Sequence, residues 1–538
     1  MTRDLPRLTA TRHDVLVIGG GIHGLFAAYD AATRGLSVAL IDRGDVGGEL
    51  SFNHQRTLHG GLRALQGGQI RKCREMLQER RAWARIAPHL VRPIPFLLGT
   101  YRGTKRSRLV VRTGFKAYDF LGRGRNQDVL PELHLPKGRL ESAAATRRLF
   151  PGITERGLSG GAIWYDYQTV HPDRLTWCVA LAAARAGVTF GTYVEATGLH
   201  RHGRTVGTVT GRDTITGPPL EIAAKHIIIA AGGGLPGLHA SLGLGPAPPL
   251  VRAMNLLLDR PARDIALAAS AASGRMYTAV PWQGFVLVGT YQSEGVVAND
   301  DREDGSAEIP SFLDDVNSAF PGLAATRDDI RFVHHGLVPA IVRDGRADLM
   351  PDPQILPAPT LDGVVSLVGV KYTTARLAAE RAVDALGVTR STGRTGTALL
   401  PHADVADSDG LLQEALRPTR RSLDRDVMHH LASWYGTEGA TVVSASLAGD
   451  GLDRLSPETP VLCGEIRYAA RHSAVTRLSD VVFRRTPLAS AGSPGEAALE
   501  RAATLSAEVL GWSPERRAEE LALVRARLRP GATARETR

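Results

Sequence analysis

Apolar and polar positions alternate along this chain in two distinct ways. Short all-apolar runs at residues 15–18, 38–41 and 227–231, and a nearly continuous one at 364–370, fit strands covered on both faces. Longer stretches at 69–86, 175–186 and 375–386 have helical length, and Gly187 supplies a stop for the second. Residues 188–194 read as one further strand, and alternating apolar strands between 250 and 340 predict a second sheet. Beyond a Gly-, Thr-, Ser-, Pro- and Asp-rich stretch at 387–421, helices are predicted at about 423–435, 462–472, 497–510 and 514–528. The expected class is α/β with an all-α unit at the C-terminus.

The first elements carry the clearest chemistry. Val15 to Ile18 lead into Gly19-Gly-Gly21-Ile-His-Gly24, then a helix, then a second strand closed by Asp42, 23 residues after Gly19. Gly19, Gly21 and Gly24 let backbone approach a pyrophosphate, the helix N-terminus offers it positive charge, and Asp42 can accept from ribose hydroxyls. That unit binds a dinucleotide but does not choose between NAD and FAD. The loop that follows, with Ser51, Thr57, His59, Gly60 and Gly61, can wrap a flavin pyrophosphate and ring edge, which favours FAD.

Composition narrows the setting. The chain has 538 residues, 43% hydrophobic, enough for two or three domains. Cys73, Cys178 and Cys463 are too widely spaced for a disulfide framework or CxxC metal ligation, so no metal is expected and a cytoplasmic location is. The N-terminus lacks an apolar signal core, and no run has membrane-spanning length. Net charge is +10, mostly scattered arginine, as in a high-GC genome, and no nucleic-acid partner is expected. One cluster departs from that scatter: residues 101–125 hold Arg102, Lys105, Arg106, Arg108, Arg112, Lys116, Arg123 and Arg125 against the lone acid Asp119. Interleaved apolar side chains make it either a helix lying on anionic lipid, at the inner face of the cell membrane, or a solvated helix face.

Several separated segments together resemble the flavin-dependent glycerol-3-phosphate dehydrogenase family. They are Gly19-Gly-Gly-Ile-His-Gly24, Thr57-Leu-His-Gly-Gly-Leu-Arg63, Ala87-Pro-His-Leu, Val280-Pro-Trp with Val288-Gly-Thr290, and Gly369-Val-Lys371-Tyr-Thr373-Thr374-Ala-Arg376. Near the C-terminus, Gly464-Glu-Ile-Arg-Tyr and Asp480-Val-Val-Phe-Arg-Arg-Thr486 look like that family's helical cap. The resemblance implies a Rossmann-like FAD-binding domain over 1–386, interleaved with a mixed-sheet substrate domain at roughly 88–190 and 245–345. A linker at 387–421 and a helical domain over 422–538 would follow. It further implies oxidation of a small-molecule secondary alcohol, with electrons passed to quinone or another acceptor.

By the same resemblance, Val194 touches the adenine side of FAD through its backbone, and Gly232 turns the chain back to the nucleotide. Thr373 and Thr374 open a helix aimed at the flavin pyrimidine, their hydroxyls able to cap it. Arg63 and Lys371 are the expected cations and proton acceptor beside the isoalloxazine, while His59 reads as structural or flavin-contacting. Three substrate-side positions depart from the family pattern: Ala64 replaces a Tyr, Val338 an Arg and Asn255 a His. Arg252, Arg331 and Arg343 are nearby cations that could compensate, and His334 or His335 could supply a base. Oxidation of another polyol, sugar or hydroxy acid, or flavin binding without turnover, are the alternatives.

Overall fold

In the computed structural model the strand His13–Ile18 lies inside an eight-stranded sheet; beside the hairpin strands Val194–His202 and Thr205–Asp213, its path runs Gln354–Pro357, Val364–Val368, Pro219–Ile229, His13–Ile18, Val38–Ile41 and Thr189–Gly191. The last five run parallel and Gln354–Pro357 is antiparallel to its neighbour. The structure describes residues 1–103, 106–298, 305–388, 391–404, 408–419 and 421–529. Helices Ile22–Thr33, Pro172–Arg185 and Ala375–Ala385 cover one face of the sheet, whose central strands are buried on both sides, as their all-apolar composition requires.

The stretch 188–194 is not one strand. The parallel strand ends at Gly191, Tyr193 takes φ 58°, and Val194 begins an antiparallel hairpin with Thr205–Asp213. The cause is backbone pairing with the loop after the second strand: Tyr193 N–H donates to the Gly44 carbonyl at 2.9 Å and Val194 N–H to the Asp42 carbonyl at 2.7 Å. Hydrophobicity alone does not register that switch.

The second sheet has ten strands and is mixed. With Arg139–Glu141 paired beside Leu158–Thr169, its path runs Arg346–Leu349, Ile330–Arg343, Leu250–Leu258, Phe285–Gln292, Met276–Trp282, Ala266–Ser270, Val91–Tyr101, Leu158–Thr169 and Thr57–Leu58. Val91–Tyr101 pairs parallel with Ala266–Ser270, and the other pairs are antiparallel.

The C-terminal region is helical, with Arg425–Tyr435, Glu438–Ala445, Cys463–His472, Glu496–Leu510 and Pro514–Leu528. Within 387–421 the described residues include a helix, Ser408–Leu416, and the buried Thr395, Leu400 and Leu412. The C-terminal helices share a core with the substrate sheet, in which Phe52, Trp282 and Phe332 pack with Val481, Phe483 and Leu499. Burying side chains of this size contributes about 1.5–3 kcal/mol each. The same helices are tied to the nucleotide sheet by charge. Asp45, in the loop just beyond Asp42, pairs with Arg484 Nε at 2.6 Å and with an Arg485 terminal nitrogen at 2.6 Å, all three side chains being buried. Burial would raise the Asp45 pKa, but the two guanidiniums outweigh it and hold the carboxyl below its ordinary range.

Candidate active site

At the C-terminal end of the first strand the backbone turns so tightly that a Cβ on Gly24 would strike the Gly19 carbonyl oxygen. This is why the third glycine of the motif tolerates no side chain. Ser51 Oγ accepts from Ile22 N–H at 2.9 Å, so the hydroxyl-bearing loop reaches the start of the 12-residue helix Ile22–Thr33. Gly21, at its N-cap, makes no side-chain cap, leaving that end suited to an anion. Asp42 stands beside it, accepting from Gly20 N–H at 2.6 Å and Gly44 N–H at 2.8 Å. Desolvation raises its pKa despite both bonds. Gly232, at φ 52°, starts the turn after the strand that pairs with His13–Ile18. The Val194 N–H is already committed to Asp42.

The segment Thr57–Gly61 runs from the substrate sheet to the nucleotide domain. Thr57 is buried and pairs with Gln168. His59 N–H donates to Thr373 Oγ1 at 3.0 Å, which brings this segment against the turn Tyr372–Thr374. Asp166 is its anchor: it accepts from Gly60 N–H at 2.8 Å, faces His59 Nδ1 at 3.4 Å and pairs with the buried Arg80. Burial alone would raise Asp166, but His59 and Arg80 lower it below the usual carboxylate range. A Cβ on Gly60 would collide with Tyr118 and Arg80, so the double glycine follows from this packing. Gly61 then caps the short helix Leu62–Gln66, which carries Arg63 to the surface.

The threonines do not cap the helix Ala375–Ala385 as expected. Thr373 Oγ1 is taken by His59 N–H, and Thr374 Oγ1 is buried with no hydrogen-bond partner among the described residues. An orphaned buried hydroxyl, an uncapped helix end and a dehydrated carboxylate beside it fit a polar cofactor lying across this face. These residues are those expected to hold FAD.

Lys371 precedes the threonines. Its Nζ donates to the Pro351 carbonyl at 2.7 Å, and the same oxygen accepts from Lys72 Nζ at 3.0 Å. Burial, then Lys72 and with it Arg63, lower the Lys371 pKa to about 8 against the pull of Asp352. Lys72 lies on the helix Ile70–Ile86, and no motif or spacing in the sequence singles it out.

Of the substrate-side departures, Asn255 is buried, donates to the Asn53 carbonyl at 3.2 Å and accepts from Thr290 Oγ1 at 2.9 Å. Gln55, which the sequence reading also passed over, donates to the Gly289 carbonyl at 2.8 Å beside it. Val338 is half-buried opposite Val251, and Ala64 turns into a small core with Cys73, Leu77 and Tyr118. Two of the three candidate arginines are engaged elsewhere. Arg252 pairs with Glu308 at 2.8 Å, Arg331 donates to the Ala491 carbonyl at 2.7 Å, and Arg343 lies exposed at a hairpin end. His334 is fully buried against Arg56, Phe52 and Phe332, and burial first, Arg56 second, push its pKa well below the ordinary value.

A dinucleotide-binding sheet and a separate mixed substrate sheet, linked by a glycine-rich segment, define a two-domain flavin-dependent oxidoreductase. The chain matches the family model described as FAD dependent oxidoreductase over residues 14–385 and that described as C-terminal domain of alpha-glycerophosphate oxidase over 369–517. It is 29% identical to a glycerol-3-phosphate dehydrogenase of Synechocystis sp., covering 95% of this chain and 96% of that one. With the Mycobacterium leprae glycerol-3-phosphate dehydrogenase it shares 30% identity, over 97% and 89%. The FAD-complexed glycerol-3-phosphate dehydrogenase of Bacillus halodurans has the same fold, with a TM-score of 0.74 at 22% identity over 99% of this chain and 98% of that one. The chain belongs to the FAD-dependent glycerol-3-phosphate dehydrogenase family, as an oxidoreductase acting on CH–OH groups.

Proposed function

We propose that this protein oxidises a secondary alcohol by hydride transfer to flavin N5 and passes the electrons to quinone or another acceptor. The observation that carries this reading is the convergence of Lys371, Arg63 and the Thr373-bonded His59–Gly61 segment at one edge of the nucleotide domain. When bound, FAD supplies the two-electron acceptor. Lys371 Nζ takes the hydroxyl proton, for which a pKa of about 8 suits near-neutral pH. Arg63 supplies fixed positive charge, and Asn255, held by Thr290 and the Asn53 carbonyl, keeps a polar edge on the substrate sheet. Asp166 positions the segment through Gly60 N–H.

Purified protein should be yellow, with one FAD released per chain on denaturation. Anaerobic mixing with a panel of secondary alcohols should bleach the flavin. A colourless protein that binds NADH would overturn the cofactor, and a flavin that no alcohol reduces would favour binding without turnover.

Contact with a membrane surface is part of the same proposal. The helix Arg108–Leu121 exposes Leu109 at 75%, Val110 at 53% and Phe120 at 57%, beside the exposed Arg112, Lys116 and Arg123. Arg106, Arg108 and Arg125 instead bond to Ser270, the Glu141 carbonyl and Asp119, and Lys105 lies outside the described residues. The protein should co-sediment with vesicles containing anionic lipid and release with salt, and Leu109→Ser with Phe120→Ser should weaken this several-fold. Equal binding to neutral vesicles would count against it. Among the described residues no helix is long and apolar enough to cross a membrane.

A further inference from the structure

We propose that Lys72 is the cation that binds the anionic end of the substrate, in place of the arginine that Val338 does not provide. This rests on the alcohol-oxidising function proposed above and adds to it the residue that sets specificity for an anionic alcohol.

The argument is geometric. Lys72 and Lys371 come from elements remote in sequence, yet their ammonium nitrogens share one acceptor, the Pro351 carbonyl. Met350 N–H donates to the Pro339 carbonyl at 3.0 Å, so this loop is fastened next to Val338 itself. The lysines therefore meet beside the position that lacks a guanidinium. Arg63 adds to the positive field at Lys371. Among the described residues their carboxylate contact there is Lys72 Nζ to Asp352 Oδ1 at 2.7 Å, and Asp352 is 54% exposed while Lys72 is 18% exposed. A single half-solvated carboxylate leaves an excess of positive charge, which an incoming anion can complement by displacing it. Lys72, with Arg63, then holds the anion and leaves Lys371 Nζ to the hydroxyl proton. Lys72 pairs with the substrate without touching the reacting carbon, so it sets specificity.

The test uses the FAD-loaded full chain and rapid-mixing flavin reduction with glycerol 3-phosphate, glycerate and glycerol. Lys72→Met should raise the half-saturating concentration of whichever anionic alcohol is used by about 10- to 100-fold, with a much smaller change in limiting rate. Lys72→Arg should recover most of this. Asp352→Asn should lower it, because a competitor for the cations is removed. Comparing the two anionic alcohols tells phosphate from carboxylate. Independently of turnover, inorganic phosphate or acetate should bind wild-type holoprotein, by calorimetry, more tightly than Lys72→Met. Should no alcohol reduce the flavin while this difference persists, the function proposed above fails and the anion site stands. Equal half-saturation and equal anion binding in wild type and Lys72→Met would overturn the site, as would a wild type that prefers glycerol.

Discussion

Replacing Lys371 by Met should slow flavin reduction by at least about 100-fold while most of the FAD stays bound, since removal of a positioned proton acceptor costs roughly 10²–10⁴ in rate. In the wild type, kcat/KM should rise with pH through about 8, because Lys371 must lose its proton before it can accept another and burial and Lys72 set that value. The rising limb should vanish in Lys371→Met. Arg63→Ala should also slow reduction by about 100-fold but keep the limb, moved upward in pH, because one of the charges that depress Lys371 is gone. Stopped-flow absorbance of the flavin measures both. Wild-type rates in either variant, or a limb that survives loss of Lys371, would remove that residue from the site.

The second large effect is expected far from the chemistry. Asp45→Asn keeps the shape of the side chain but takes from Arg484 and Arg485 the carboxylate they share, in a place closed to water. Uncovering buried charge in this way costs about 3–5 kcal/mol. Asp45 is three residues past Asp42, so the damage should reach the nucleotide as well as the C-terminal helices. The variant should melt several degrees lower and shed FAD on gel filtration where the wild type retains it. A melting temperature unchanged from wild type would show that the three charges contribute nothing net.

How much of this was legible in the sequence follows from what each feature depends on. The nucleotide fold depends on local pattern: residues 15–18, the three glycines and Asp42 lie within one short stretch, and the structure places them as a unit. Helices such as Ile70–Ile86 and Pro514–Leu528 start and stop within a residue or so of their sequence limits, since helix periodicity is also local. Pairings between distant positions were not legible. Nothing at Asp45 announces Arg484 and Arg485 more than four hundred residues later, and nothing at Lys72 announces Lys371. The break at Tyr193 and the use of Thr373 by His59, instead of by its own helix, have the same origin, a backbone group elsewhere that needed a partner. Arg252, Arg331 and Arg343 are near Val338 in sequence, whereas Lys72, from a helix near the N-terminus, reaches the loop fastened to the strand that carries Val338.

The core shared by the substrate sheet and the C-terminal helices bears on how the chain is made. Phe52, Trp282 and Phe332 are synthesised well before Val481, Phe483 and Leu499, which cover them. On the ribosome, the first four-fifths of the protein must therefore wait with an apolar face open to water, and with Asp45 still lacking its arginines. Nascent chains in that condition are prone to aggregate and are clients for chaperones. Maturation of this enzyme is thus completed by its last hundred residues, so a late frameshift or premature stop would disable the nucleotide domain although every residue expected to hold the cofactor had already been translated.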